Sequence, residues 1–564
     1  MGVLLQGFFS DVTTVEGSSW WDHLARQARD FAVSGFTAIW LPPPLKGNSG
    51  GFSDGYDPFD DYDLGSKNQK GTIPTRYGSR QQLQRCAAMM RANGIDIYAD
   101  LVDNQRDGDD GFFNFRYADA FGNVGANPLG GRFSKSAIDF FPNVPLDPGV
   151  FTAAFSDGRK LAPINGGTPR GQCGLELTAS ADWLTRALDI QGYRVDNAEG
   201  VSTVFVTELL RAKSMANKFA VGEFANFDIQ NLMNWSNPVQ HRASAFDFPL
   251  HQVLQQMCDN PGFAMSSLDH AGLAGVDPLG AVTFVDNHDT DAGKIGGPVV
   301  RNKLLAYAYI LTSEGYPSVF YRDYSTDPNC FGLKDKIDRL IWIHEKVAAG
   351  DTLQRWKENG VFAFERLGGS HLLVGLNTDE GAARTITVQT GFPPNRELQN
   401  LADDGAPRIG TNGQSMVTIT IPKNAGGSGY VCYGLPAQIE AFKPRSQPAT
   451  QDYEGAADLD IKPAIAGESV QVCQVFPVAK SQMHIQLRTD TANWTPATSI
   501  KVTVNGPAGT AIGSHVFDRA AVGSAFEVQP AQTGFHTLMV EAAGTPLQHT
   551  PFTLGVTYTA PQTF

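Results

Sequence analysis

The stretch GYRVDNAEG, residues 192–200, sets an arginine and an aspartate two positions apart in a run that otherwise reads as a buried strand. Side chains alternate faces along a strand, so Arg194 and Asp196 point the same way. An ion pair at the end of an apolar strand is costly to bury for structural reasons alone. Its meaning depends on whether other carboxylates reach the same place.

Outward from this point, the residues up to about 345 alternate short apolar strands with helical patterns. The expected strands are 2–9, 36–42, 95–102, 192–196, 219–224, 244–250, 281–287 and 317–323. Between them lie amphipathic segments such as WWDHLARQARDFAVSG and SRQQLQRCAAMMRANG, each ending in Gly, a common helix stop. Eight strands alternating with helices, and apolar on both faces, predict an α/β chain closed into a (β/α)8 TIM barrel. A doubly wound open sheet is the competing fold, but no G-x-G-x-x-G follows the first strand to support it.

The barrel is expected over 1–104 and 178–350, interrupted after its third strand by an inserted subdomain at 105–177. That segment is rich in Gly, Asn, Pro and Phe. It leaves from a strand end, the face on which barrels carry their chemistry. Alternation in HLLVGLN, ARTITVQT, MVTITIP and GYVCYGL predicts an antiparallel β-sandwich over 351–440. A polar, proline-containing linker is expected at 441–458 and a second β-sandwich at 459–564. Trp494 and Tyr558 are that block's candidates for stacking on carbohydrate; packing or spacing is its alternative role.

Composition narrows the function. With 564 residues the chain needs several domains. A formal net charge of −14 disfavours nucleic acid or an anionic membrane as partner and suits a neutral ligand. Six scattered cysteines without a C-x-x-C pair exclude a disulfide scaffold or zinc ribbon and leave room for one or two bridges. No apolar run reaches the length of a bilayer span. The sequence opens directly on a strand, without a signal peptide, which suits a cytoplasmic or a processed protein. A polymeric substrate would favour a secreted or periplasmic one.

Side chains at the C-terminal ends of barrel strands converge on one site. Those ends offer Asp100 and Asn104 on the third strand, Arg194 and Asp196 on the fourth, and Glu223 on the fifth. FVDNHD on the seventh adds Asn287, His288 and Asp289. Two carboxyl groups flanking one bond are what glycoside hydrolysis requires, one ionised to attack the anomeric carbon and one protonated to release the leaving oxygen. Arg194 is expected to hold Asp196 ionised. Glu223 follows apolar FAVG, surroundings that raise a carboxyl pKa. Asp289 could then grip substrate hydroxyls.

With these acids in place, the chain resembles the α-amylase family, glycoside hydrolase family 13. The likeness runs from LLQGFF (4–9) to GYVCYGL (429–435) and includes GFTAIWLPPPLKG, GYDPFDDYDLG, KGTIPTRYGS and EGYPSVFY. The resemblance implies retaining cleavage of α-glucosidic bonds. It makes Asp196 the nucleophile, Glu223 the acid/base and Asp289 the transition-state stabiliser. Arg194 and His288 are implied partners of the sugar before the cut, with Asn287 beside them as a further contact. Tyr56 matches the aromatic on which that sugar stacks, and Phe112, Phe113 and Phe227 are further aromatics expected near the mouth.

The pattern departs from the family twice. DLVDNQ carries Gln105 where histidine is usual, and Gln can hydrogen-bond a hydroxyl but cannot become cationic. The Lys-His that often follows the nucleophile is here Glu199 and Gly200, which changes how the leaving-side sugar is held. Asn104 and the Gly200 carbonyl match calcium ligands of the family, so a structural Ca²⁺ is implied. The expected activity is α-amylase-like hydrolysis of starch, glycogen or maltooligosaccharides by a monomer. Transglycosylation or hydrolysis of short α-glucosides is the alternative on the same fold. A catalytically silent glucan-binding protein is disfavoured by three intact acids.

Overall fold

The computed structural model describes residues 2–12, 19–109, 113–118, 124–125, 135–153, 158–164, 172–239, 241–456, 469–543 and 551–564. Eight parallel strands close into a barrel: β1 (Leu4–Gln6), β2 (Ala38–Trp40), β3 (Asp96–Leu101), β4 (Gly192–Val195), β5 (Phe219–Gly222), β6 (Ser244–Phe246), β7 (Ala281–Phe284) and β8 (Tyr316–Phe320). Each pairs with its neighbours in sequence, and β1 closes the ring against β8 through Leu4 and Ser318. The strands are shorter than the apolar runs suggest because the chain turns into loops at the site end. There the backbone still follows the ladder, Asp196 N donating to Leu101 O and Glu223 N to Val195 O at 2.9 Å each.

The first helices start and stop where capping chemistry dictates. In α1 (Trp20–Ser34) the Ser19 hydroxyl accepts from Asp22 N, and the helix ends at Gly35, φ 103°. Only glycine suits that position, because a Cβ would also meet the Phe442 ring of the segment crossing behind it at 2.5 Å. In α2 (Arg80–Ala92) Ser79 and Gln82 form a reciprocal capping box. The two helices pack together and share the buried Asp22–Arg85 pair.

The helix after the insertion, α3 (Gln172–Leu188), begins earlier than the sequence pattern predicts, inside the expected 105–177 insertion. Gly174 makes that turn read as loop. In the structure it is a packing contact, where a Cβ would come within 2.6 Å of Pro163 O.

Beyond the barrel, a six-stranded sheet faces the antiparallel pair Arg384–Gln389 and Met416–Ile421. That pair turns Ile386, Val388, Val417, Ile419 and Ile421 inward and its threonines outward, the alternation read from ARTITVQT and MVTITIP. Two four-stranded sheets make the C-terminal sandwich. Its first strand, Ala449–Ala456, lies within the expected linker 441–458 and pairs along its length with Pro551–Tyr558. A glutamine at a core position hides it from the sequence pattern. Gln451 is fully buried, accepts from the Tyr453 and Tyr558 hydroxyls at 2.9 and 3.0 Å, and donates to Gln84 O of α2 at 2.8 Å. With Arg186 of α3 on Asp452 at 2.7 Å, these bonds dock the sandwich on the barrel's outer helices.

Trp494 and Tyr558 are buried in that sandwich, so neither presents a ring to carbohydrate. All six cysteines are free thiols. Among the described residues no helix is long and apolar enough to cross a membrane.

Candidate active site

Arg194 organises the barrel mouth. On β4 it lies in register with Asp100 of β3 and Val221 of β5. Its guanidinium is almost wholly buried and bonds three carboxylates. Nη1 reaches Asp196 Oδ1 at 2.6 Å and Asp100 Oδ1 at 2.8 Å, and Nη2 reaches Glu223 Oε2 at 2.6 Å. The rings of Trp40 and Tyr56 lie over it with centroids 5.0 and 5.6 Å away. Asp100 also accepts from Trp40 Nε1 at 3.1 Å and Tyr56 OH at 2.9 Å.

One cation shared among three acids cannot hold all of them in the ordinary carboxylate range. Burial pushes Asp100 up to about 7 against the pull of Arg194. It pushes Glu223 up to about 8, again against Arg194, with the charges of Asp196 and Asp289 adding to the rise. Asp196 is also raised by burial, against the pull of Arg194 and Gln105, while the expected Arg194–Asp196 pair is formed at 2.6 Å. The guanidinium is divided, and desolvation outweighs each share of it. Asp196 differs from Glu223 in accepting a side-chain amide, Gln105 Nε2 at 3.5 Å.

Asp196, Glu223 and Asp289 line one open cavity of about 300 Å³ with Asp54, Tyr56, Gln105, Asn197, Glu199, Ala225, Lys294 and Ile295. Asp289 is the second residue of the helical turn His288–Asp291 and faces Lys294 Nζ at 3.4 Å and His288 Nε2 at 3.3 Å. Gln6 Nε2 donates to His288 Nδ1 at 3.0 Å, which assigns the ring proton to Nε2, toward Asp289. Burial lowers the pKa of His288 to about 3, so it is a neutral donor. Tyr56 stacks on its ring at 5.3 Å and 8°.

Other expected contacts are placed differently. Asn287 is absent from the cavity wall because its side-chain oxygen caps the turn, accepting from Asp289 N and Thr290 N at 2.9 Å each. It positions Asp289 instead. Phe227 packs edge-on against Phe248 at 6.0 Å and against Gly296, and Phe113 packs with Phe140. Phe112 lies outside the described residues. Gln105 and Glu199 do line the cavity. Gln105 Oε1 is buried with no partner while its Nε2 donates to Tyr56 O at 3.0 Å.

Sequence reasoning missed Gln6, Trp40 and Lys294. Gln6 and Trp40 sit at the ends of β1 and β2, where apolar neighbours disguise them. Lys294 arrives only because the turn after Asp289 folds back, its N–H donating to Asp289 O at 2.9 Å.

Asn104 and Gly200, the implied calcium ligands, do meet. Both oxygens accept from the buried ammonium of Lys160, Asn104 Oδ1 at 2.8 Å and the Gly200 carbonyl more closely still. Burial lowers the Lys160 pKa to about 8, against the pull of Asp147. Among the described residues no cluster of three or more His, Cys, Asp or Glu is arranged to hold a metal.

The acids imply a pH profile. In the roles expected from the sequence, turnover needs Glu223 protonated and Asp196 ionised. As pH rises through about 8 the acid loses its proton, so kcat/KM should fall on that side with an apparent pKa near 8. The acidic limb should lie above the ordinary aspartate value, because Asp196 is raised. A pH series of initial rates on a maltooligosaccharide measures both limbs. An alkaline limb above pH 10 would contradict the assignment of Glu223.

A closed (β/α)8 barrel with paired carboxylates at its strand tips, one of them with its pKa pushed up by burial, has the apparatus of a glycoside hydrolase. No protein-family model matches the chain. The α-amylase of Geobacillus stearothermophilus is 31% identical over 427 residues, spanning 65% of this chain and 76% of that protein. The glucan 1,4-alpha-maltohexaosidase of Bacillus sp. (strain 707) is 29% identical over 443 residues, 69% of this chain and 85% of that protein. In fold, the gamma-CGTase from alkalophilic Bacillus clarkii superposes with a TM-score of 0.57 at 19% identity, over 96% of this chain and 92% of that one. The chain belongs to the α-amylase family.

Proposed function

We infer that this protein hydrolyses α-glucosidic bonds of starch- or glycogen-type glucans and maltooligosaccharides, with retention of anomeric configuration. The observation that carries this is the shared guanidinium: Asp196 and Glu223 each lie 2.6 Å from a nitrogen of Arg194 at the wall of one cavity. Two carboxyl oxygens so held can be separated by little more than two hydrogen bonds and the span of one guanidinium. That bound admits the short separation of retaining enzymes, about 5–5.5 Å, and membership of the α-amylase family favours it over the wider gap of inverting ones. The named activities of the relatives, an α-amylase and a maltohexaosidase, supply the substrate class.

In the first step the Asp196 carboxylate forms a bond to the anomeric carbon while the carbon–oxygen bond to the leaving sugar breaks. Glu223 gives its proton to that oxygen. In the second step Glu223, now a carboxylate, takes a proton from water as the water oxygen displaces Asp196. Asp289, flanked by His288 and Lys294, accepts from ring hydroxyls. Tyr56 offers the face that borders the cavity. Gln105, which borders the cavity, holds its Nε2 on the Asp196 carboxylate and the Tyr56 carbonyl. Glu199 adds an acid to the same wall. No step passes through a metal, since the oxygens that would hold calcium are bonded to Lys160.

Proton NMR of a maltoheptaose digest tests the stereochemistry. Reducing ends should appear first as the α-anomer and mutarotate later. First appearance of the β-anomer would indicate inversion and remove the proposed role of Asp196.

A further inference from the structure

We infer that Lys160 is a built-in structural cation, standing where a divalent ion would join the inserted segment to the barrel, and that the fold is therefore independent of calcium. Three features converge. The backbone around Lys160 is laid against the chain leaving β3: Leu161 N donates to Asn104 O at 2.9 Å, Arg106 N to Arg159 O at 3.0 Å, and Gln105 bridges Lys160 in antiparallel fashion. Its ammonium is buried and receives one oxygen from each side of the junction, Asn104 after β3 and Gly200 after β4. Calcium takes about six to eight oxygens, several of them carboxylates. Here the two oxygens implied as ligands already have a donor, and a divalent ion between them would meet the ammonium's charge at contact distance.

The same device recurs nearby, which makes a chance placement of Lys160 a poor explanation. Lys135, also from the inserted segment, is buried against Asp61 and the Tyr117 hydroxyl. Arg106 joins that group, bonding Asp61 at 2.8 Å and Asp103 at 3.2 Å. In the loop after β2, Lys46 Nζ gathers the carbonyls of Thr72, Ile73 and Pro74 at 3.0, 2.7 and 3.0 Å. Lysine ammoniums thus gather backbone and side-chain oxygens at several points on this face, work that metal ions do elsewhere.

The test uses the full-length protein, stripped with excess EDTA and then examined with and without added calcium chloride. Elemental analysis should find far less than one calcium per chain, and the melting temperature should be the same in chelator and in calcium. One bound calcium per chain, or a melting temperature that falls by more than about 3 °C on chelation and recovers with calcium, would overturn the inference. Lys160→Met keeps the side-chain stem but leaves both oxygens without a donor. It should melt more than about 3 °C below the parent, and Lys160→Arg should recover part of the loss. Parent-like melting of Lys160→Met would overturn the inference. If that variant does not fold, the chelation result on the parent decides the matter.

Discussion

Asp196→Asn should lower kcat on maltooligosaccharides by at least about 10⁴-fold, the scale seen when a residue that bonds the substrate is removed from a catalytic unit. The amide nearly matches the carboxylate in shape but has no charge with which to attack the anomeric carbon. Arg194 keeps Asp100 and Glu223 as partners, so no buried cation is orphaned and the fold should survive. Parallel circular dichroism and rate measurements separate the two effects. Parent-like turnover by a folded Asp196→Asn protein would remove the mechanism. With one negative charge gone beside it, Glu223 should also titrate lower than in the parent, since Asp196 is one of the groups that raise it.

Glu223→Gln should cost about 10²–10⁴-fold in kcat on glucans, the usual contribution of a positioned acid or base. The loss should depend on the leaving group. A glycosyl fluoride departs without needing a proton, so its first step should be largely spared. The second step, in which Glu223 would activate water, remains slow, and the covalent intermediate should accumulate. The alkaline limb near 8 should vanish from the residual activity, because the group that produces it is absent. Equal loss of the first step on both substrates, read from kcat/KM, or an unchanged alkaline limb, would assign the proton to another residue.

The parts of the fold that could be read in advance were those written in periodic apolar patterns. Eight runs such as FTAIWLP and AVTFVDN each contain or overlap a barrel strand, and the alternation in ARTITVQT survives as an inward and an outward face. What hid was polar. Gln451 occupies a core position and made Ala449–Ala456 look like linker, while Gly174 made the start of α3 look like loop. At the site, strand-tip logic locates Asp196, Glu223 and Asp289 because the ladder fixes where a strand ends.

That logic does not show how many acids one arginine serves. Nor does it show that Asn287 closes a helical turn, or that a lysine from the insertion takes the oxygens of Asn104 and Gly200. The Asn287 cap is local, but the arginine's and lysine's partners lie far apart in the chain, 56 and 40 positions for Lys160. Side chains that meet across such distances leave no local period.

The most direct measurement is to trap the glycosyl-enzyme. Glu223→Gln protein, incubated with an activated α-glycosyl fluoride and digested, should carry one added glycosyl group, with the labelled peptide containing Asp196. A protein that turns over the fluoride without ever acquiring the label, or that carries it on any other carboxylate, would contradict the account.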